Sequence, residues 1–151
     1  MDLDPQLIPG FQFIDHIAIA IPPGSLDAQI ALYRHMGFRE VHREDVLGGD
    51  QVREVLLKIG DGPNLVQLLE PLAAESPVAR QLEKNGGRAT FAHVALRVKN
   101  ARTAFDHLKA HAFQVIDEAP RPGSRGTTVF FVHPKTLGYL IEVVQEGKHV
   151  E

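Results

Sequence analysis

The chain has 151 residues, 44% of them hydrophobic and 23% charged, which suits one soluble globular domain with a real core. A net charge of −3 excludes a broad electrostatic attraction to nucleic acid or anionic lipid, and the absence of cysteine excludes a disulfide framework and any sulfur-based zinc site, though not one built from His, Gln and Glu. No apolar run approaches a membrane span, and Met1-Asp2-Leu3-Asp4-Pro5 lacks the start of a signal peptide, so the expectation is a cytoplasmic protein without membrane or nucleic-acid partners.

Along the chain, residues 14–21 alternate as a strand, with Ile17, Ile19 and Ile21 on one face and His16, Ala18 and Ala20 on the other. Pro22-Pro23-Gly24 ends it. Ser25 or Asp27 caps a helix carrying Ile30, Ala31, Tyr33 and Met36, and Gly37 is its left-handed terminator. Strands are predicted over 38–42, 52–59 and 64–70, with turns at 47–50 and 60–63. Ser76-Pro77 starts a short connecting helix that Gly86-Gly87 ends. A strand over 91–98 follows, with Ala92, Val94, Leu96 and Val98 on one face. Asn100 then caps a helix bearing Ala101, Ala104, Phe105 and Leu108, and strands are predicted near 113–117, 127–132 and 139–145.

The order strand–helix–three strands therefore occurs twice, each landmark about 75 residues from its counterpart. His16 pairs with His93, and Gln67 with Glu142. A single strand histidine is more often packed or exposed than a ligand. Here both histidines point away from the branched apolar side, beside Ala18 and Ala20 in one strand and Ala95 in the other, which leaves room for a cavity. Gln67 and Glu142 sit within apolar strands, where a carboxylate is costly unless paired or metal-bound. Two imidazoles and two oxygens at equivalent places suit one Zn, Co, Ni, Mn or Fe(II) ion.

Glu54 shares a strand face with Leu56 and Lys58. Spacing alone favours a solvent-facing glutamate; the alternative is a general base facing the metal. Lys135, in His133-Pro134-Lys135, is read either as turn chemistry or as a contact to a substrate phosphate. His35, His42, His107, His111 and His149 have no partner at ligand spacing and are expected at the surface. Gly123-Ser124-Arg125-Gly126 is either a loop over a site or a connection, and it is not a P-loop.

The stretches Ile14-Asp15-His16-Ile17-Ala18, His42-Arg43-Glu44, Gln67-Leu68-Leu69-Glu70-Pro71-Leu72, Ser76-Pro77-Val78-Ala79, Ala92-His93-Val94-Ala95, 117–123, His133-Pro134-Lys135 and Leu140-Ile141-Glu142 together resemble the vicinal oxygen chelate (glyoxalase/bleomycin-resistance/dioxygenase) superfamily, and within it the methylmalonyl-CoA epimerase family. The resemblance covers about residues 14 to 146. It implies an α+β fold in which two βαβββ modules form a cupped eight-stranded mixed sheet around one divalent metal. The whole chain, 1–151, would be one domain, with module 1 at about 14–72, a linker helix at about 73–88 and module 2 at about 91–146.

By the same resemblance His16, Gln67, His93 and Glu142 hold the metal (Co, Zn, Ni or Mn), and Glu54 is the catalytic glutamate. The resemblance further implies an acyl-CoA substrate, a homodimer and, as the expected reaction, interconversion of (R)- and (S)-methylmalonyl-CoA through a metal-stabilised enolate, with Glu54 serving one face and Glu142 or a water at the metal serving the other. Gln67 separates this reading from a glyoxalase I-type isomerase acting on a hemithioacetal, where a Glu is usual. The complete ligand set argues against a non-enzymatic drug-binding module. The chain departs from the family at Ala92, where a second histidine is common, at Gly48-Gly49-Asp50-Gln51 before the catalytic strand, and at Ala112, where a helix-ending Gly is common.

Overall fold

A computed structural model describes residues 8–147; the opening residues 1–5 and His149 lie outside the described residues. The elements are β1 (Phe11–Ala20), α1 (Leu26–His35), β2 (Arg39–Val46), β3 (Val52–Lys58), β4 (Leu65–Pro71), α2 (Pro77–Lys84), β5 (Thr90–Val98), α3 (Ala101–Ala110), β6 (Arg121–Pro122), β7 (Thr128–Val132), α4 (Pro134–Leu137) and β8 (Ile141–Gln145). The class is α+β, and the eight strands form a mixed sheet in the order β2-β3-β4-β1-β5-β8-β7-β6.

The chain divides into two compact units. One is the continuous stretch His16–His93; the other joins Met1–Asp15 to Val94–Glu151. In the first, β1 runs parallel to β4, and β4 and β2 flank β3 antiparallel. α1 covers one face, where Leu26 and Ile30 pack on Ile21, Val55, Leu57 and Leu68. α2 packs on part of the other face, with Val78 and Leu82 against Ala18, Ala20, Val52 and Leu69. Ala92, expected beside Val94, Leu96 and Val98, belongs to this second cluster instead. Ser76 fixes the start of α2, its hydroxyl accepting from Val78 N–H and donating to the Asp50 carbonyl.

The second unit has the same build. β5 runs parallel to β8, and β7 lies antiparallel to β8. α3, capped by the Asn100 side chain at Thr103 N–H, packs Ala101, Ala104, Phe105 and Leu108 on Phe130, Val132, Ile141 and Val143. The expected strand at 113–117 is reduced to a single bridge, Val115 to Val132. The ladder stops because the Asp117 carboxylate accepts from Phe131 N–H, replacing a backbone carbonyl. The strand partner of β7 is β6, four residues further on. The turn at 134–137 is a short helix whose first donor, Lys135 N–H, is satisfied by His133 Nδ1.

Candidate metal and acid–base site

Residues opposite one another in neighbouring strands share a sheet face, so the register shows what each face carries. In the His16–His93 unit, Ala18 pairs with Gln67, Leu56 with Gln67, Glu54 with Leu69, and Glu44 with Glu54. His16, Gln67, Glu54 and Glu44 therefore lie on one face, the one opposite α1. Its side chains next to His16 on β1 are Ala18 and Ala20, both fully buried. That matches the small neighbours expected from the sequence.

His16 and His93 are buried, and their Nε2 atoms are 3.3 Å apart. At that separation both nitrogens can reach one ion at the usual imidazole bond length of about 2.0–2.1 Å. Gln67 is 5% exposed. Its Nε2 donates to Glu54 Oε1, and its Oε1 is buried with no hydrogen-bond partner among the described residues. An orphaned buried carbonyl oxygen is costly and is the donor a hard or borderline cation accepts. The residues present thus fit a divalent ion.

Glu54 is 4% exposed, so the solvent-facing reading that spacing favoured is corrected. The sequence misled because both faces of β3 are covered, Val55 and Leu57 by α1 and Glu54 and Leu56 on the other side.

His42, expected at the surface without a partner, is half-buried, with Nε2 2.9 Å from Glu44 Oε1 and 3.8 Å from Glu54 Oε2. A β-bulge brings it there. Glu40 pairs with Leu57 and His42 with Leu56, so Val41 is the extra residue and the faces of β2 switch at that point. Glu40, Arg43 and Arg53 point the other way. Arg43 bonds both oxygens of Glu40, and Arg53 both oxygens of Asp45; these bonds hold the Glu40 and Asp45 carboxyls below their ordinary range. The signal that could have placed His42 and Glu44 is their i, i+2 spacing in a strand extended beyond residue 42.

Glu142 lies on β8 of the second unit, opposite Ala95 and Phe131. Its position repeats that of Gln67: Gln67 faces Ala18, two residues after His16, and Glu142 faces Ala95, two residues after His93. Lys135 is exposed on α4.

A strand–helix–three-strand order that occurs twice along the chain, with a histidine in the first strand of each repeat, defines a class. The profile of the glyoxalase/bleomycin resistance protein/dioxygenase superfamily matches residues 15–131, and the chain belongs to that superfamily. Within it the chain is similar to methylmalonyl-CoA epimerases. It is 32% identical to mitochondrial methylmalonyl-CoA epimerase of Bos taurus over 133 residues, 87% of this chain and 73% of that protein. The crystal structure of methylmalonyl-CoA epimerase from Mycobacterium tuberculosis matches with a TM-score of 0.85 at 29% identity, over 93% of this chain and 92% of that one. A variant of Streptomyces coelicolor methylmalonyl-CoA epimerase in complex with 2-nitronate-propionyl-CoA matches with a TM-score of 0.81 at 34% identity, over 90% of this chain and 98% of that one.

Proposed function

We propose that the chain is a metal-dependent epimerase interconverting (R)- and (S)-methylmalonyl-CoA by removing and returning the α-proton. The observation that carries the reading is the buried Glu54 carboxylate, held by the Gln67 amide on the sheet face that also bears His16. The similarity to methylmalonyl-CoA epimerases supports the substrate class.

The ligands would be His16, Gln67, His93 and Glu142, the last supported by its equivalence to Gln67 in register. When bound, the ion supplies positive charge to the carbonyl oxygens beside the acidic carbon, worth several kcal/mol. Glu54 takes the α-proton on one face. Its carboxylate is fixed by the Gln67 N–H and shielded from water, so it stays oriented toward the substrate. Inversion needs a second acid–base group on the opposite face, and Glu142 serves there. Each positioned acid–base group contributes about 10²–10⁴-fold. Lys135, exposed on α4, would meet the phosphates of the CoA.

Proton NMR of methylmalonyl-CoA in D₂O with metal-reconstituted protein tests the reading. The α-proton signal should disappear while both epimers remain. A protein that leaves that proton in place but turns over a thiol hemithioacetal would be a glyoxalase instead.

A further inference from the structure

Glu44 stands directly opposite Glu54 in the β2–β3 ladder, and His42 is the preceding side chain on the same face of β2. Like charges facing each other across a ladder repel, and His42 Nε2 lies within ion-pair distance of both carboxylates, 2.9 Å from Glu44 and 3.8 Å from Glu54. Arg43 and Arg53 alternate to the far face, where they bond Glu40 and Asp45. One His42 nitrogen, one Glu44 oxygen and one Glu54 oxygen all lie within 4.8 Å of one another. An imidazole nitrogen and two carboxylates are a donor set for a divalent first-row cation. The His42 and Glu44 side chains are 30% and 36% exposed, so the cluster opens to solvent on the side away from Glu54.

We propose that His42, Glu44 and Glu54 form a second, weaker site for a divalent cation such as Zn²⁺, and that occupation of this site inhibits the protein by engaging the Glu54 carboxylate. The inhibitory part rests on the reading of Glu54 as the base; the site itself does not. The second site is the weaker because two of its three ligands are solvated, whereas His16 and His93 are buried. The metal that activates at one equivalent then inhibits in excess.

The test is calorimetric titration of metal-free full-length protein with ZnCl₂, run in parallel with epimerisation rates. The background is His111→Gln, because the exposed His107 and His111 rings, 4.3 Å apart, would also take Zn²⁺. The background protein should bind a tight and a weaker class of ion. Glu44→Gln should keep the tight class and weaken the other by about ten-fold or more. His42→Asn should do the same. The background rate should fall as Zn²⁺ exceeds one equivalent, while the ratio of the rate at excess to that at one equivalent stays near unity in Glu44→Gln. A single class in the background up to millimolar Zn²⁺, or a weaker class unchanged in both variants, overturns the proposal. If the counts change as expected but no protein epimerises methylmalonyl-CoA, the second site stands and the epimerase reading fails.

Discussion

Glu54, 4% exposed and bonded by the Gln67 amide, is a carboxylate that is costly to bury without a compensating partner, and the proposed role as base gives it a direct test. Glu54→Gln keeps its shape but removes its basicity. Metal content should stay near wild type while epimerisation falls by about 10²-fold or more. Exchange of the α-proton of one epimer with solvent should survive, since exchange needs one face and inversion needs two. A Glu54→Gln protein that racemises at the wild-type rate would return Glu54 to the role of an ordinary strand residue. His16→Ala and His93→Ala should each lose the tightly bound divalent ion after dialysis, read by elemental analysis; full occupancy in both would remove them as ligands. Ala112 offers a stability test away from the site. It sits at φ 66° after α3, where Phe113 N–H bonds the Leu108 carbonyl in a helix-ending turn that favours glycine. Ala112→Gly should raise stability by about 0.5–1 kcal/mol, the left-handed penalty on alanine less the freedom glycine adds to the unfolded chain; urea denaturation reads it. Ala112 was legible as a departure from the usual glycine. His42 was not, because the extra residue Val41 defeats strict alternation.

Element boundaries depended on side chains as much as on periodicity. The starts of α2 and α3 were readable from Ser76-Pro77 and Asn100, since a cap is a local bond between a side chain and a nearby N–H. The strand expected at 113–117 was not, because Asp117 ends it by a bond to Phe131 N–H, 14 residues away. Likewise the length of β2, Arg39–Val46, comes from pairing with β3 and not from its own polar sequence. Ser76 is the element-scale test. It is fully buried and bonds both α2 and the loop before β3. Ser76→Ala should cost about 1–2 kcal/mol, from a lost cap and a half-buried carbonyl at Asp50 that loses its hydroxyl partner. Thermal or urea melting reads this, and an unchanged midpoint would show that the Asp50 loop does not depend on α2.

At the scale of the molecule, the repeat seen in the sequence is a repeat of register. The alanine of His–x–Ala in the first strand of each repeat faces Gln67 in one repeat and Glu142 in the other. A count of residues could find that equivalence because strand pairing preserves spacing. It could not show that the second unit is assembled from both ends of the chain. Asp15, fully buried, receives Arg97 Nε at 2.9 Å, and Lys99 N–H bonds the Gly10 carbonyl. Breaking a buried ion pair by removing one partner costs about 3–5 kcal/mol. A fragment of residues 86–151 lacks Asp15 and should therefore stay unfolded by circular dichroism, and adding a peptide of residues 1–20 should restore part of its structure. The same arrangement governs synthesis. Asp15 and Arg97 are 82 residues apart. At about 5–20 residues per second, the ribosome needs about 4–16 s to supply the arginine. Through that interval the Asp15 carboxylate has no Arg97 to receive, so the first strand of the chain cannot complete its buried ion pair until more than half of the protein has been made.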